Sequence, residues 1–192
     1  MGASPIPAML PRVSFDDYLM HEEVSPVRHE FHDGVVTMMA GGNRAHAEAA
    51  ANWMFVLQSL ARGGSCKALG SDLAVWIEKE NTGLYPDVAL YCGSAEFQDA
   101  GRRFAKNPRV IVEVLSPSTH DYDLSAKFSL YKELASLDQY ICMEPEAVEI
   151  HVWTKQHDGE WVRERFSSLS DEIEIPALGK CVRVEQVYAG LL

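Results

Sequence analysis

Long apolar runs are absent from this sequence. No stretch approaches the length of a membrane-spanning helix, so we do not expect an integral membrane protein. The N-terminal residues MGASPIPAMLPR also lack the basic start and long apolar core of a secretory signal peptide. Internal repeats, low-complexity tracts and linker-like changes of composition are missing as well. The 192 residues therefore favour one folded domain over residues 14–192, preceded by an irregular N-terminal arm at residues 1–13.

Cysteine is scarce, and its four copies lie too far apart to form a paired motif: Cys66, Cys92, Cys142 and Cys181. Three of them fall in predicted strands, where a free cysteine usually behaves as a small buried apolar residue. We therefore expect free thiols instead of a cysteine-based zinc site. Free thiols in turn favour a reducing, cytoplasmic location.

Basic charge is in deficit: 17 Lys and Arg residues face 28 Asp and Glu residues, which gives a net charge of −11. This balance favours solubility and argues against non-specific adhesion to nucleic acid. Any role on DNA or RNA must therefore depend on a local site. Arg102 and Arg103, in the acid-free run GRRFAKNPR, are candidates for positioning a phosphate, although a solvated loop explains the same run.

Helix and strand signals alternate along the chain. Ser14, with Asp17 three residues later, predicts the start of a short helix, and Asp33-Gly34 predicts a hairpin turn. Asn43 predicts the start of a long helix that ends at Gly63-Gly64. Further strands are predicted at residues 66–69, 73–78, 87–91, 109–114, 138–143, 147–154 and 160–166, with a second helix at 122–136. This order predicts an α/β fold, a mixed β-sheet flanked by helices, with a C-terminal β extension from residue 173.

Two predicted strands carry a carboxylate near one end. Asp87 opens the strand in YPDVALY, and Glu113 lies near the end of RVIVEV, each on the face opposite its neighbouring valines. Burying an unpaired carboxylate costs on the order of several kcal/mol, so Glu113 needs a partner. Two carboxylates aimed at one point can bind Mg²⁺. Each acid can also bond a neighbouring backbone amide, and the spacing alone leaves both interpretations open.

Glu30, just before the Asp33-Gly34 turn, is a third candidate acid, although a solvent-facing hairpin residue explains it equally well. His29 and His32 lie beside it, and together with His120 they raise the alternative of a zinc enzyme. Because no cysteine lies nearby, ordinary surface histidines explain this pattern better than a zinc site does.

The second predicted helix spaces Asp123, Lys127 and Tyr131 four residues apart, so their side chains share one side of the helix. Lys127 is expected at the margin of the buried face. There it can form an exposed pair with Asp123. It can also reach back to the strand that ends in Glu113, because the connecting SPST segment is short.

Several of these blocks, in the same order, resemble the Uma-two-type "putative restriction endonuclease" family of the PD-(D/E)XK nuclease superfamily. The matching blocks cover most of the chain, from about residue 18 to residue 146: RHEFHDGVV, NRAHAEAAANWMFVLQSL, YPDVALY, PRVIVEVLSPST, DLSAKFSLY and LDQYICMEPE. A single Pro-Asp pair carries no weight as a motif. An ordered series of blocks is specific, and it implies a restriction-endonuclease-like fold.

The resemblance implies a metal site for Mg²⁺ or Mn²⁺. Asp87 and Glu113 would be metal ligands, with the backbone carbonyl of Val114 as a third and Glu30 as the upstream acidic residue. Lys127 would be the catalytic lysine, supplied from a helix. Further residues match recurrent positions without an assigned role: His46, Asp72, Ser116, Thr119, Asp123 and Tyr131.

One departure from the superfamily pattern concerns the lysine. Its usual place is two residues after the second acid, and Leu115 occupies that place here. The resemblance implies an endonuclease that hydrolyses DNA phosphodiester bonds, and cutting both strands favours a homodimer. A catalytically silent nuclease fold, used for binding or assembly, is the alternative that Leu115 and the acidic surface favour.

Overall fold

In the computed structural model, which describes residues 12–39 and 41–192, two β-sheets and a small hairpin pack against helices. Most of the predicted arm at residues 1–13 lies outside the described residues. The helices are α1 (Phe15–Val24), α2 (Arg44–Ala61), α3 (His120–Tyr122), α4 (Phe128–Tyr131) and α5 (Val184–Val187), with a π-helical turn at Asp123–Lys127 and a 3-10 turn at Glu78–Glu80. The strands are β1 (His29–His32), β2 (Val35–Met38), β3 (Cys66–Gly70), β4 (Ala74–Ile77), β5 (Thr82–Leu84), β6 (Val88–Cys92), β7 (Phe104–Ala105), β8 (Val110–Val114), β9 (Gln139–Glu144), β10 (Glu149–Lys155), β11 (Trp161–Phe166), β12 (Glu172–Ile175) and β13 (Lys180–Arg183).

The strands form a six-stranded sheet, β11-β10-β9-β8-β6-β3, and a five-stranded sheet, β2-β1-β5-β4-β7. Both are mixed, since β8 pairs with β9 and β4 pairs with β7 in parallel, while the other pairs are antiparallel. The hairpin β12–β13 forms the C-terminal β extension. The predicted mixed α/β fold is confirmed.

Local sequence signals set the elements that surround the site. Ser14 accepts a hydrogen bond from the backbone N–H of Asp17 at the start of α1. Asp33 and Gly34 both have positive φ, as the tight turn between β1 and β2 requires. Asn43 caps α2 by accepting from the backbone N–H of His46. These three predictions are confirmed.

The alternation in β8 decides which way Glu113 faces. Val110, Val112 and Val114 are buried in the core on the side of the sheet that packs against α2. Ile111 and Leu115 belong to the other core, which also contains Tyr131, Leu134, Leu137 and Tyr140. Because side chains alternate along a strand, Glu113 shares this second side and faces the helical segment that follows β8.

Two features of the fold differ from the sequence predictions. The second helix ends at Tyr131 and not at residue 136, since turns follow it. The short strands β5 and β7 were not predicted, because each is defined by pairing with distant residues. Within the described ranges, no helix combines the length and the apolarity that crossing a membrane requires.

The expectation of four free cysteines is wrong. Cys66 and Cys92 lie directly opposite each other on β3 and β6 and form a disulfide. Cys142 is a buried free thiol and Cys181 is an exposed one. The expected cytoplasmic location depended on unpaired cysteines, and the disulfide removes that ground.

Candidate active site

A cavity of about 640 Å³ opens where the two sheets and the helical segment after β8 meet. We call it the Lys127 cavity. Its polar lining comes from the β1–β2 hairpin, the start of α2, the ends of β6 and β8, and the segment from Ser116 to Lys127: Glu30, His32, Thr37, His46, Tyr85, Asp87, Glu113, Ser116, Ser118, Thr119, Tyr122, Asp123 and Lys127. Residues far apart in the sequence thus share one concave surface.

Asp87 directly precedes β6, and Glu113 lies in β8, the antiparallel neighbour of β6. Val88 of β6 pairs with Val112 of β8, and one further step of this register sets Asp87 opposite Glu113. The backbone N–H of Val114 donates to Asp87 Oδ2 at 2.7 Å, which holds the carboxylate beside the strand end. Cross-strand neighbours lie on one face with Cβ atoms about 4.5–5.5 Å apart. The two carboxylates therefore point into the same part of the cavity.

Lys127 is the immediate partner of Glu113. Its Nζ lies 2.9 Å from Glu113 Oε1, and both residues are buried, with 7% and 3% of their surfaces exposed. The hydroxyl of Tyr131 donates to the same oxygen at 3.2 Å. The carboxylate in this apolar strand is therefore paired with an ammonium group and a phenol.

The helical segment after β8 brings the lysine into the cavity through its π-helical turn, Asp123–Lys127. Lys127 Nζ also lies 3.6 Å from Glu30 Oε1 and 3.6 Å from Asp123 Oδ1. Lys127 was expected at the margin of the buried face, and an exposed pair with Asp123 was one interpretation. Both are wrong, because Asp123 and Lys127 are buried together.

The charges in this cluster are strongly coupled. Burial raises the pKa of Glu113 well above 4.5, the charge of Lys127 opposes this rise, and the nearby Asp87 adds to it. Burial likewise raises the pKa of Asp123. Burial alone would lower the pKa of Lys127, but Glu113, Glu30 and Asp123 together raise it well above 10.5. One ammonium group thus pairs with three carboxylates. The combined negative charge of these carboxylates favours the binding of additional positive charge.

Glu30 reaches the cavity from β1. Its Oε1 faces Lys127 and the backbone N–H of Tyr85, which donates to it at 3.5 Å, while Oε2 lies 3.4 Å from His32. Burial would raise the pKa of Glu30, but the hydrogen bond from His32 and the charge of Lys127 hold it below its usual value. Its side chain is only 13% exposed, so it is not a solvent-facing hairpin residue.

His46 contacts the other end of the acidic pair. Its Nε2 lies 3.2 Å from Asp87 Oδ2. The hydrogen bond with Asp87 raises the pKa of His46 against the opposing effect of burial, and the backbone carbonyl of Val114 also contributes. The first turn of α2, which Asn43 caps, thereby positions an imidazole beside the carboxylate.

The comparisons with known proteins decide the family. The family described as "Uma2: Putative restriction endonuclease" matches residues 15–183. The chain belongs to the Uma2 family. Its relatives include two uncharacterized proteins of Synechocystis: slr1290, 32% identical over 96% of this chain and 95% of that protein, and sll1609, 27% identical over 82% and 89%. The family resemblance of the sequence is confirmed.

A solved structure shares the fold of this Uma2 chain. It is a crystal structure of a "putative nuclease belonging to DUF820" from Anabaena variabilis, with a TM-score of 0.74 over 94% of this chain and 99% of that chain. At 14% identity, this likeness shows the fold alone. Family membership by itself supports a nuclease-like activity on nucleic acid.

Most of the sequence-predicted residues lie at the Lys127 cavity of this Uma2 chain. Ser116 and Thr119 line it and share a hydrogen bond of 2.9 Å between their hydroxyls. Asp72 does not line it, since its side chain is 89% exposed and pairs with Arg28. Arg102 and Arg103 do not line it either: they lie in a loop, where Arg103 pairs with Asp99.

Sequence reasoning missed Tyr122. It lines the cavity, and its hydroxyl is buried without a hydrogen-bond partner among the described residues. A buried hydroxyl in that state is the kind of group that a bound ligand satisfies. The available signal was its position in the sequence, because Tyr122 immediately precedes Asp123, the first residue of the family block DLSAKFSLY. Tyr85, beside Asp87, was likewise overlooked.

The zinc set suggested by the sequence is not assembled. His32 pairs with Glu30, His29 pairs with Glu22 at 2.9 Å, and His120 pairs with Asp121. Among the described residues, these three histidines do not converge as a group of metal ligands.

The donor chemistry of the Lys127 cavity suits a hard divalent cation. Asp87 Oδ1 and Glu113 Oε2 accept no hydrogen bond within the described part of the chain, so each carboxylate keeps one oxygen available. Burial raises the pKa of Glu113 despite the opposing charge of Lys127, so additional positive charge nearby would favour the ionised carboxylate. Oxygen ligands and excess negative charge match Mg²⁺ or Mn²⁺, with water completing the coordination.

Proposed function

We propose that this chain is a metal-dependent endonuclease that hydrolyses DNA phosphodiester bonds in the Lys127 cavity. The observation that supports this most is the meeting of Asp87, Glu113 and Lys127 from two strands and a helix in one cavity. Two carboxylates can hold a cation, and an amine can offset the charge that builds on the phosphate oxygens, so these groups suit cation-assisted phosphodiester hydrolysis.

Asp87, Glu113 and the Val114 carbonyl would hold Mg²⁺ or Mn²⁺, with Glu30 beside them. The bound cation supplies Lewis acidity toward a phosphate oxygen and lowers the pKa of an attacking water. Because the Asp87 carboxylate is fixed by the Val114 N–H, its free oxygen has a defined direction. Tyr131 fixes the Glu113 carboxylate in the same way.

Lys127 has two roles in this proposal. Without ligand it neutralises part of the charge on Glu113, Glu30 and Asp123. With cation and DNA bound, its ammonium would orient the attacking water or offset the charge that builds on the phosphate oxygens. The helical segment thereby supplies the amine. Leu115, at the usual position of the lysine, has no amine and packs in the core.

The DNA contact must be local, because the chain carries a net charge of −11. The hydroxyls of Ser116, Ser118, Thr119 and Tyr122 line the cavity and can donate to phosphate oxygens. The described residues of one chain form one such site, so we propose that cleavage of both strands uses a homodimer. Sedimentation of the purified protein tests this point, and a monomer at nicking concentrations would limit the activity to single-strand cuts.

The alternative is a silent nuclease fold that binds or assembles without cutting. Two observations favour it: the acidic net charge, and the engagement of Lys127 by three carboxylates. The two hypotheses make different predictions about Mg²⁺. The endonuclease should bind Mg²⁺ through Asp87, whereas a silent module should show no Mg²⁺ affinity that depends on Asp87.

The test uses supercoiled plasmid with the purified protein in Mg²⁺, in Mn²⁺ and in chelator. We expect nicking with either cation, none in chelator, and none from Asp87→Asn or Glu113→Gln. Asp16→Asn, which removes an exposed acid of α1, serves as the matched control and should cut like the parent. Mg²⁺ should also raise the melting temperature of the parent and not that of Asp87→Asn. Equal melting curves with and without Mg²⁺, together with no nicking, would favour the silent module.

A further inference from the structure

A second group of potential metal ligands lies outside the Lys127 cavity. His21 and Glu22 are in the last turns of α1, and His29 begins β1. One ligand atom from each of the three lies within 4.8 Å of the other two. Within residues 12–39 and 41–192, this is the one group of three or more His, Cys, Asp or Glu residues with such spacing.

The contacts of Glu22 orient this group. Glu22 Oε2 lies 2.9 Å from His29 Nδ1, and the His21 and His29 rings are 5.4 Å apart between centroids. Glu22 Oε1 accepts from the backbone N–H of His29 at 2.9 Å and from the Tyr85 hydroxyl at 3.5 Å. A metal-binding carboxylate is commonly held by such hydrogen bonds to its second oxygen.

The donors differ from those of the Lys127 cavity. Two imidazole nitrogens and one carboxylate oxygen form a set typical of zinc, with a fourth position left for water or a ligand. Tetrahedral bonds of about 2.0 Å require ligand atoms about 3.3 Å apart, so the 2.9 Å contact of Glu22 with His29 needs only a small opening. We propose that His21, Glu22 and His29 bind a divalent transition-metal cation of the Zn²⁺ class.

This site is distinct from the proposed catalytic one, and the inference does not rest on the proposed function. His29 and Glu30 are consecutive in β1, so their side chains leave opposite faces of the strand. Tyr85 touches both groups, through its hydroxyl to Glu22 and its backbone N–H to Glu30. A cation at His21, Glu22 and His29 would therefore brace the strand that carries Glu30.

The experiment is calorimetric titration of the metal-free full chain with Zn²⁺, repeated with Co²⁺ for its visible spectrum. We expect one site, and His21→Ala and Glu22→Gln should each weaken Zn²⁺ binding by about tenfold or more. His21 is exposed, so His21→Ala should fold normally, as its circular dichroism and zinc-free melting curve would show. His157→Ala, an exposed loop histidine, is the matched control and should bind like the parent.

Asp87→Asn separates the two sites, because it should retain Zn²⁺ binding while losing the response to Mg²⁺. If His21→Ala binds Zn²⁺ as tightly as the parent, the proposed site is wrong. If Asp87→Asn abolishes Zn²⁺ binding, the cation occupies the Lys127 cavity and the proposal is likewise overturned.

Discussion

Glu113 keeps a carboxylate inside an apolar strand because Lys127 and Tyr131 meet it there. Removing a charge from water carries an effective penalty of several kcal/mol, on the order of what a close opposite charge returns. The pairing is incomplete, since the pKa of Glu113 remains raised by burial despite Lys127. The buried pair of Glu113 and Lys127 lies beside two further carboxylates, Glu30 and Asp123, and such a cluster is suited to bind a cation.

Lys127→Ala should destabilise the folded chain, contrary to the expectation from a marginal position. Removing the ammonium leaves Glu113 and its acidic neighbours buried without a counter-charge, at a cost of about 3–5 kcal/mol. Urea unfolding at neutral pH measures this change. Lys132→Ala removes an exposed lysine just after α4 and should change stability by less than about 0.5 kcal/mol. A Lys127→Ala protein as stable as the parent would show that the pairing is energetically neutral.

Glu113→Gln should change the pH dependence of stability. The pKa of Glu113 in the folded protein lies well above 4.5, so above about pH 4.5 the folded state keeps a proton that the unfolded chain has lost. The free energy of unfolding of the parent should therefore fall as pH rises through this window, relative to the non-titrating Gln variant. Unfolding series from pH 4 to pH 8 (about the range that brackets this window) measure the difference.

Glu164→Gln is the control for this series, because Glu164 is exposed on β11. Its stability should run parallel to that of the parent at every pH. A constant offset between the parent and Glu113→Gln would mean that Glu113 has the same pKa in both states.

At the scale of elements, two helix starts are built alike but have different consequences. Ser14 caps α1 away from the Lys127 cavity, whereas Asn43 caps α2 and holds the turn that presents His46 to Asp87. The π-helical turn after β8 also positions residues of the site, since it buries Asp123 and Lys127 together. Element ends, more than element interiors, therefore shape this site.

Asn43→Ala and Ser14→Ala should each lower stability by about 1 kcal/mol, as the loss of an N-cap does. Only Asn43→Ala should also lower the pKa of His46, because the hydrogen bond with Asp87 that raises it depends on the first turn of α2. NMR titration of the His46 ring measures this value in both variants. An unchanged His46 in Asn43→Ala would show that the cap does not position the imidazole.

At the scale of the whole molecule, long-range pairings join the parts of the chain. The six-stranded sheet brings β3, β6 and β8 together, and the Cys66–Cys92 disulfide links two of these strands. The bond therefore braces the strand pair that leads into Asp87 at the other end of β6. The chain carries a net charge of −11, and the carboxylates of the Lys127 cavity contribute to it.

Replacing Cys66 and Cys92 together by serine should lower the free energy of unfolding by about 3 kcal/mol, given their separation of 26 residues. The reason is that the cross-link restricts the unfolded chain. Cys181→Ser, at an exposed free thiol, should leave stability unchanged. Thiol counting in denaturant supplies the second measurement, and four reactive thiols in the parent would show that the bond is absent.

The sequence by itself determined the elements whose causes are local. The caps at Ser14 and Asn43, the turn at Asp33-Gly34 and the alternation around Glu113 all depend on residues a few positions apart. Such signals need no knowledge of the fold. The ordered family blocks added the restriction-endonuclease-like fold and the metal-binding roles of the candidate acids, because a family pattern records long-range structure that composition and spacing do not.

Only the tertiary structure decided the partners. That Lys127 is buried with three carboxylates, that Cys66 meets Cys92, and that His21 and Glu22 meet His29 are all consequences of how the chain folds back on itself. A local pattern shows which side of an element is apolar but not which element covers it. Coulombic and hydrogen-bond energies depend on distances in space, and the packing of the two sheets and the helical segment sets those distances.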